Sequence, residues 1–207
     1  MGTRLTLHPD TPQRRFLDRA VQVLRDNGLV ILPTESCYAF VALPQSKAAL
    51  ERVARIKHIN PDKKLFSLIV PDLSEIATYA VVSNHAYRIL KRFLPGPYTF
   101  ILPATREVPR ILLTKRKTIG LRIPDNEVAL EVARESGGAL LASTVRLPGE
   151  ELPLGDPDEI EQRLLSQVDV FLDHGWGGFE PTTLVNMVED QPELLREGAG
   201  DASPFQS

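Results

Sequence analysis

The sequence predicts an α/β protein, one domain built around a mixed sheet. Three observations carry this. Short apolar runs of strand length alternate with segments of helical period along the whole chain. Several of those runs follow one another across short turns with no helix between them, which demands antiparallel neighbours and argues against a plain Rossmann strand order. With 207 residues, 43% hydrophobic and 25% charged, the chain can bury one sizeable core and is too apolar to remain disordered.

The elements follow in order. After Pro12, residues Phe16, Ala20, Val23 and Leu24 fall on one helical face, and Asn27-Gly28 supplies the stop. Residues 29–32 read as a buried strand ending at Pro33, and 37–43 as a second apolar segment. Residues 47–57 return to helical period through Leu50, Val53, Ala54 and Lys57. A strand is predicted over 65–70 and a helix over 84–94, halted by Pro95-Gly96-Pro97. Strands over 98–102, 118–123 and 139–143 come next, with a helix over 126–134 between the last two. The Pro/Gly-rich stretch 148–158 reads as a surface loop, and strands over 168–172, 182–188 and 193–196 complete the order. The expected core spans about residues 12–200 of a single domain covering 1–207.

The net charge of −3 conceals a division. Residues 1–149 hold 22 basic and 13 acidic side chains, whereas the rest carry 14 acidic residues against only Arg163 and Arg196. Either the acidic part folds against the basic part and neutralises it, or the basic groups converge on an anionic ligand such as a nucleotide or nucleic acid. A single cysteine, Cys37, excludes an internal disulfide and a cysteine-rich zinc site. No apolar run is long enough for a membrane span and the N-terminus has no signal core, so a cytoplasmic protein without membrane contact is expected.

The common nucleotide fingerprints are absent: there is no Walker A sequence and no Gly-x-Gly-x-x-Gly between strand and helix. Gly175-Trp176-Gly177-Gly178 suits a turn, Cys37 suits a buried structural thiol, and His58 and His174 suit surface or loop positions. What stands out is polar residues at strand ends. Pro33-Thr34-Glu35-Ser36 follows a buried strand, where α/β proteins place ligands, although a turn or cap uses the same residues. Lys57 ends a helix, and Ser143-Thr144 and Thr182-Thr183 add hydroxyls beside buried strands. Lys63, Lys64, Arg110, Lys115, Arg116 and Lys117 supply positive charge of the kind that ordinarily forms a solvated face. Arg122 differs, because it is embedded in Ile119-Gly120-Leu121-Arg122-Ile123-Pro124 and needs an acid or an anionic ligand as partner.

Five of these segments together resemble the YrdC/TsaC family. Pro33-Thr34-Glu35-Ser36-Cys37-Tyr38 is similar to its PTET-x-YG signature, Leu94-Pro95-Gly96-Pro97-Tyr98-Thr99 to LPGP-x-T, and Gly120-Leu121-Arg122-Ile123-Pro124 to its x-x-x-R-x-P strand. Pro181-Thr182-Thr183-Leu184-Val185 resembles PST-x-V, and Leu195-Arg196-Glu197-Gly198 the terminal LREG. The segments occur in the family's order from Pro33 to Gly198, and Lys115-Arg116-Lys117-Thr118-Ile119-Gly120 points to the YciO-like branch. The resemblance implies an open, twisted mixed sheet of the YrdC type with a large basic cavity. It further implies synthesis of threonylcarbamoyl-adenylate from L-threonine, bicarbonate and ATP, with Mg²⁺ as cofactor, pyrophosphate as by-product and tRNA t6A modification as the destination. On that resemblance, Lys57, Arg122, Ser143, Thr144, Arg146 and Arg196 are expected to bind the nucleotide, and Thr34, Tyr38 and Thr182 the threonine. No dedicated nucleophile is implied.

Two positions depart from the family's pattern. Its synthases carry Lys-x-Arg after the second helix, where this chain has Lys57-His58-Ile59, and Ser-x-Asn after a central strand, where it has Thr144-Val145-Arg146. One phosphate-binding guanidinium and one amide are thus exchanged for Ile59 and Arg146, which predicts weak or altered synthase activity. The alternative is a non-catalytic paralogue that binds nucleotide or double-stranded RNA, with Lys63, Lys64, Arg110, Lys115, Arg116 and Lys117 on the RNA.

Overall fold

A computed structural model describes residues 2–60, 66–189 and 191–206. Among these, ten strands join one sheet in the order β1-β8-β2-β3-β7-β4-β6-β5-β9-β10. The strands are β1 (Thr3–Thr6), β2 (Val30–Leu32), β3 (Ala39–Ala42), β4 (Ser67–Ile69), β5 (Tyr98–Pro103), β6 (Thr118–Arg122), β7 (Leu140–Thr144), β8 (Val170–Asp173), β9 (Thr183–Asn186) and β10 (Glu193–Arg196). The helices are α1 (Arg14–Arg25), α2 (Lys47–Ile56), α3 (Leu73–Tyr79), α4 (Asn84–Phe93), α5 (Glu127–Ser136) and α6 (Pro157–Leu164). The sheet is mixed, as the turn-linked strands required. Strand β8 runs parallel to β1 and β2, β4 to β6 and β5 to β9. Strand β3 is antiparallel to β2 and β7, and the pairs β4–β7, β5–β6 and β9–β10 are antiparallel too.

Both faces of the sheet are covered, which is why the strands read as unbroken apolar runs rather than alternating ones. Alternation decides which layer each side chain joins. Val30 and Leu32 face Leu17, Ala20, Val21 and Leu24 of α1 and Val128, Ala129, Val132 and Ala133 of α5. Leu29, Ile31, Phe40 and Leu68 join the opposite layer with Ala49, Leu50, Val53 and Ile56 of α2. Truncating a side chain as buried as Leu24 to alanine removes about 2–5 kcal/mol. Caps fix where the helices begin: Ser46, Ser83 and Asn126 accept from the backbone N–H three residues on. Helix α5 ends on Gly137 in the left-handed region.

Three elements lay outside the sequence expectation. Strand β1 is a partly exposed edge strand. Helix α3 is seven residues long and buries only Ile76, so neither offered a strong apolar period. Helix α6 begins inside the stretch 148–158 read as loop, since Pro157 occupies its first turn and Asp156 caps it. Among the described residues no helix is long and apolar enough to cross a membrane.

The charge division is resolved in part. Arg4 binds Asp158, Glu161 and Asp173, and Arg52 binds Asp169, so acids of the C-terminal region neutralise two N-terminal arginines. Other cations converge elsewhere.

Candidate functional site

A cavity of about 490 Å³ opens over the middle of the sheet, floored by β3, β4, β6 and β7 and walled by β5, β9 and β10. Its lining combines polar and apolar side chains. Lys57, Arg122, Ser143, Thr144, Arg146, Thr182 and Arg196 all line it, together with Ser67, Thr99, Thr114 and Thr118. The apolar wall is Ile59, Phe66, Ile101, Ile119, Leu184 and the prolines Pro153 and Pro181.

Lys57 reaches this cavity because it caps the C-terminus of α2, whose apolar face seats on the sheet. Its Nζ donates to Ser143 Oγ at 2.9 Å and to the Thr144 carbonyl at 2.7 Å. Both acceptors are neutral. Burial, and after it the Arg146 cation, push the ammonium down to about 8. Arg196, at the end of β10, donates from Nη2 to the Thr182 carbonyl at 2.7 Å, and burial followed by Arg146 lowers it from the ordinary arginine value. Arg146 therefore presses on both neighbours. Among the described residues none of the three has a carboxylate within ion-pair distance. Two cations crowded by a third, with no acid beside them among the described residues, are chemically suited to an anion.

Arg122 found its partner in the strand-end segment the sequence had singled out. Its Nη2 donates to Glu35 Oε1 at 2.6 Å and to Ser36 Oγ at 3.3 Å, with both ion-pair side chains almost fully buried. Glu35 was absent from the expected site, although the demand for an acid at Arg122 was visible. Arg122 Nε and Glu35 Oε2 remain buried without a hydrogen-bond partner among the described residues. Thr182 Oγ1 and Thr99 Oγ1 lie 2.7 Å apart and Thr114 Oγ1 and Thr118 Oγ1 2.8 Å apart, which extends the hydroxyl row across β5, β6 and β9. A threonine inside the apolar run of β5 was the signal that sequence reasoning passed over.

Thr34 and Tyr38 do not line the cavity. Thr34 Oγ1 donates to the Cys37 carbonyl at 2.6 Å and accepts from the Cys37 and Ser36 N–H groups, closing the turn that presents Glu35 and Ser36 to Arg122. Tyr38 is 1% exposed; its hydroxyl donates to the Gly175 carbonyl and accepts from His174 N–H, and its ring packs edge-on against Phe171. It fastens the loop 174–178 from beneath. Gly178 lies against the same turn so closely that a Cβ there would meet the Ser36 carbonyl at 1.9 Å. Cys37 is a buried thiol whose Sγ donates to the Glu180 carbonyl, and burial pushes it up to about 11, as a structural cysteine requires.

Lys115, Arg116 and Lys117 are exposed on the turn before β6, with Lys117 in the left-handed region, and do not line the cavity. Arg110 lies on the loop between β5 and β6, also outside the lining, whereas Lys63 and Lys64 fall outside the described residues.

A family model described as telomere recombination, covering Sua5, YciO and YrdC, matches residues 22–198. The chain belongs to the Sua5/YciO/YrdC family. The YciO protein of Escherichia coli K12 is 44% identical over 96% of this chain and 97% of its own length. The crystal structure of E. coli YciO superposes with a TM-score of 0.94 at 43% identity, covering 100% of both chains. The threonylcarbamoyl-AMP synthase of Chromobacterium violaceum is 35% identical over 69% of this chain and 74% of its own. The P. abyssi Sua5 crystal structure, a complex with L-threonine, shares the fold at a TM-score of 0.89 and 22% identity, over 98% of this chain and 59% of that one. The family thus includes threonylcarbamoyl-AMP synthases at a distance and YciO proteins close by.

Proposed function

We propose that this YciO-like protein binds ATP in the basic cavity and makes threonylcarbamoyl-adenylate from it, with a turnover below that of a typical synthase. The observation that carries the reading is the convergence of Lys57, Arg146 and Arg196, without an acid among the described residues, beside the hydroxyls of Ser143, Thr144 and Thr182. That set suits a triphosphate. The reaction asks little else of the protein: threonine's amine takes up carbon dioxide as a carbamate, a carbamate oxygen attacks the α-phosphorus, and pyrophosphate leaves. Positioning and neutralisation of the phosphate charge supply most of the acceleration in such chemistry.

Among the described residues no group of three His, Cys, Asp or Glu is placed to cage a metal. The cavity's hydroxyls and cations fit an ion carried in by the nucleotide, so the Mg²⁺ of this reaction would ride on the phosphates, as it does where substrate supplies most ligands. When bound there it neutralises charge on the leaving pyrophosphate. Lys57 and Arg196 then grip the phosphate oxygens from two sides, and the Arg122–Glu35 pair anchors the strand-end turn that carries Ser36.

The reduced turnover rests on Ile59, which lies in the apolar wall and offers no hydrogen bond, and on Arg146, a full charge where the synthases carry an amide. The test is pyrophosphate release with ATP and bicarbonate against each amino acid in turn, alongside calorimetric titration with ATP. Binding of ATP with slow, threonine-dependent release is the expected result. Release with a different amino acid would reassign the substrate, and absence of ATP binding would overturn the proposal.

A further inference from the structure

Lys57 has a feature that an anion-binding lysine does not need. Its amine is held by two neutral acceptors, Ser143 Oγ and the Thr144 carbonyl, and among the described residues the charged group that bears on it is a cation, Arg146, which bears on Arg196 of the same cavity lining as well. The third arginine of the lining, Arg122, already has Glu35. The amine is reached from a cavity large enough for any small electrophile. Such a centre is relieved in either of two ways, by receiving an anion or by turning one of its cations into one.

The geometry points to Lys57 as a reversible carbon dioxide acceptor, its Nζ forming a carbamate that pairs with Arg146 and Arg196. The balance is simple. The ammonium loses one proton to solvent; the lone pair of the neutral amine attacks the carbon of CO₂; an N–C bond forms as one C=O pair moves onto oxygen; and a second proton leaves the nitrogen. Neutral amine and CO₂ become carbamate and H⁺, with no oxidant or further reactant. The side chain changes from +1 to −1, so the three groups together fall from +3 to +1. Two guanidiniums then face one carboxylate, the pairing arginine makes most strongly.

The lowered proton affinity supports the step, since the neutral amine is the reactive form. With burial pushing the group down to about 8, a far larger share of Lys57 than of an exposed lysine is neutral near neutral pH. The carbamate itself stands apart from the nucleotide reading. Its consequence, that CO₂ and ATP exclude each other from the cavity, rests on that reading.

The experiment equilibrates the full chain with isotopically labelled bicarbonate under a fixed partial pressure of CO₂ and traps carbamates with a trialkyloxonium reagent before peptide mass mapping. Lys47 and Lys91, both exposed, serve as controls in the same digest. Adduct at Lys57 at least about tenfold above both, rising from pH 7 to 9 and falling several-fold in Arg146→Ala, is the expected result. Labelling at Lys57 no greater than at Lys47, or independent of pH, overturns the proposal. Lys57→Arg should abolish the adduct while keeping the charge. If that variant does not fold, the comparison within the wild-type digest decides alone. ATP binding without a Lys57 adduct sinks the carbamate only, whereas adduct without ATP binding sustains it and sinks the nucleotide reading.

Discussion

Lys57 and Arg146 hang from one oxygen: the Thr144 carbonyl accepts from Lys57 Nζ at 2.7 Å and from the Arg146 backbone N–H at 2.8 Å. The last residue of β7 therefore holds both the Lys57 amine and the backbone from which the Arg146 side chain departs.

Removing one of the pair should be felt in binding before it is felt in folding. Lys57→Met is expected to weaken ATP at least about tenfold, because a hydrogen bond to a charged group contributes about 1.5–3 kcal/mol. The melting temperature should hold or rise, since an unpaired and desolvated cation has gone. Calorimetry and thermal melting on the same preparation check both halves.

The pH dependence has a definite sign. Lys57 titrates at about 8 in the folded chain against an ordinary value of 10.5, so the unfolded chain holds more protons between those limits. Stability should accordingly rise as pH increases from about 8 towards 10.5. Affinity for ATP should fall as pH rises through about 8, where the folded chain loses the cation. Lys57→Arg should flatten both profiles. Urea titrations and ATP titrations at stepped pH read them out.

The departures from the synthase pattern are reversible on paper. Ile59 and Arg146 line the same cavity, so the change Ile59→Arg alone would add a fourth cation to an already repelling set. We expect little gain from it, and a larger gain in pyrophosphate release from Ile59→Arg with Arg146→Asn. A double-mutant cycle should show coupling beyond additivity.

The Arg122–Glu35 pair should behave as a buried ion pair does. Glu35→Gln leaves an uncompensated guanidinium almost out of water and is expected to destabilise by about 3–5 kcal/mol. The double change Glu35→Gln with Arg122→Gln should recover part of the loss. Midpoints of urea unfolding for the three variants test it.

Much of the fold was legible because strands buried on both faces write themselves as continuous apolar runs, as at residues 29–32. What escaped was marginal in burial: β1 at the sheet edge, α3 with Ile76 alone inside, and α6 hidden behind proline-rich punctuation. Of the site, the residues on strand ends and helix caps converge as their positions implied, Lys57 with Ser143 and Arg196 with Thr182. Thr34 and Tyr38 carry the strongest motif yet do not line the cavity. A motif preserves whatever its surroundings need, and here the Thr34 hydroxyl closes its own turn while the Tyr38 hydroxyl fastens the loop 174–178. Thr99 was missed as a single polar residue in an apolar run, and Glu35 because nothing in the sequence tied the strand-end segment to Arg122.

The cavity's walls are far apart in the order of synthesis. Lys57 and the floor strands emerge early, whereas Thr182 and Arg196 belong to β9 and β10, and β10 pairs with β9 alone. A nascent chain can thus lay down most of the sheet and still present an open trough with three of its four cations. Only with residues 183–196 in place does the trough gain its last wall, and a chain interrupted before β9 would leave Lys57 and Arg146 with no opposite bank.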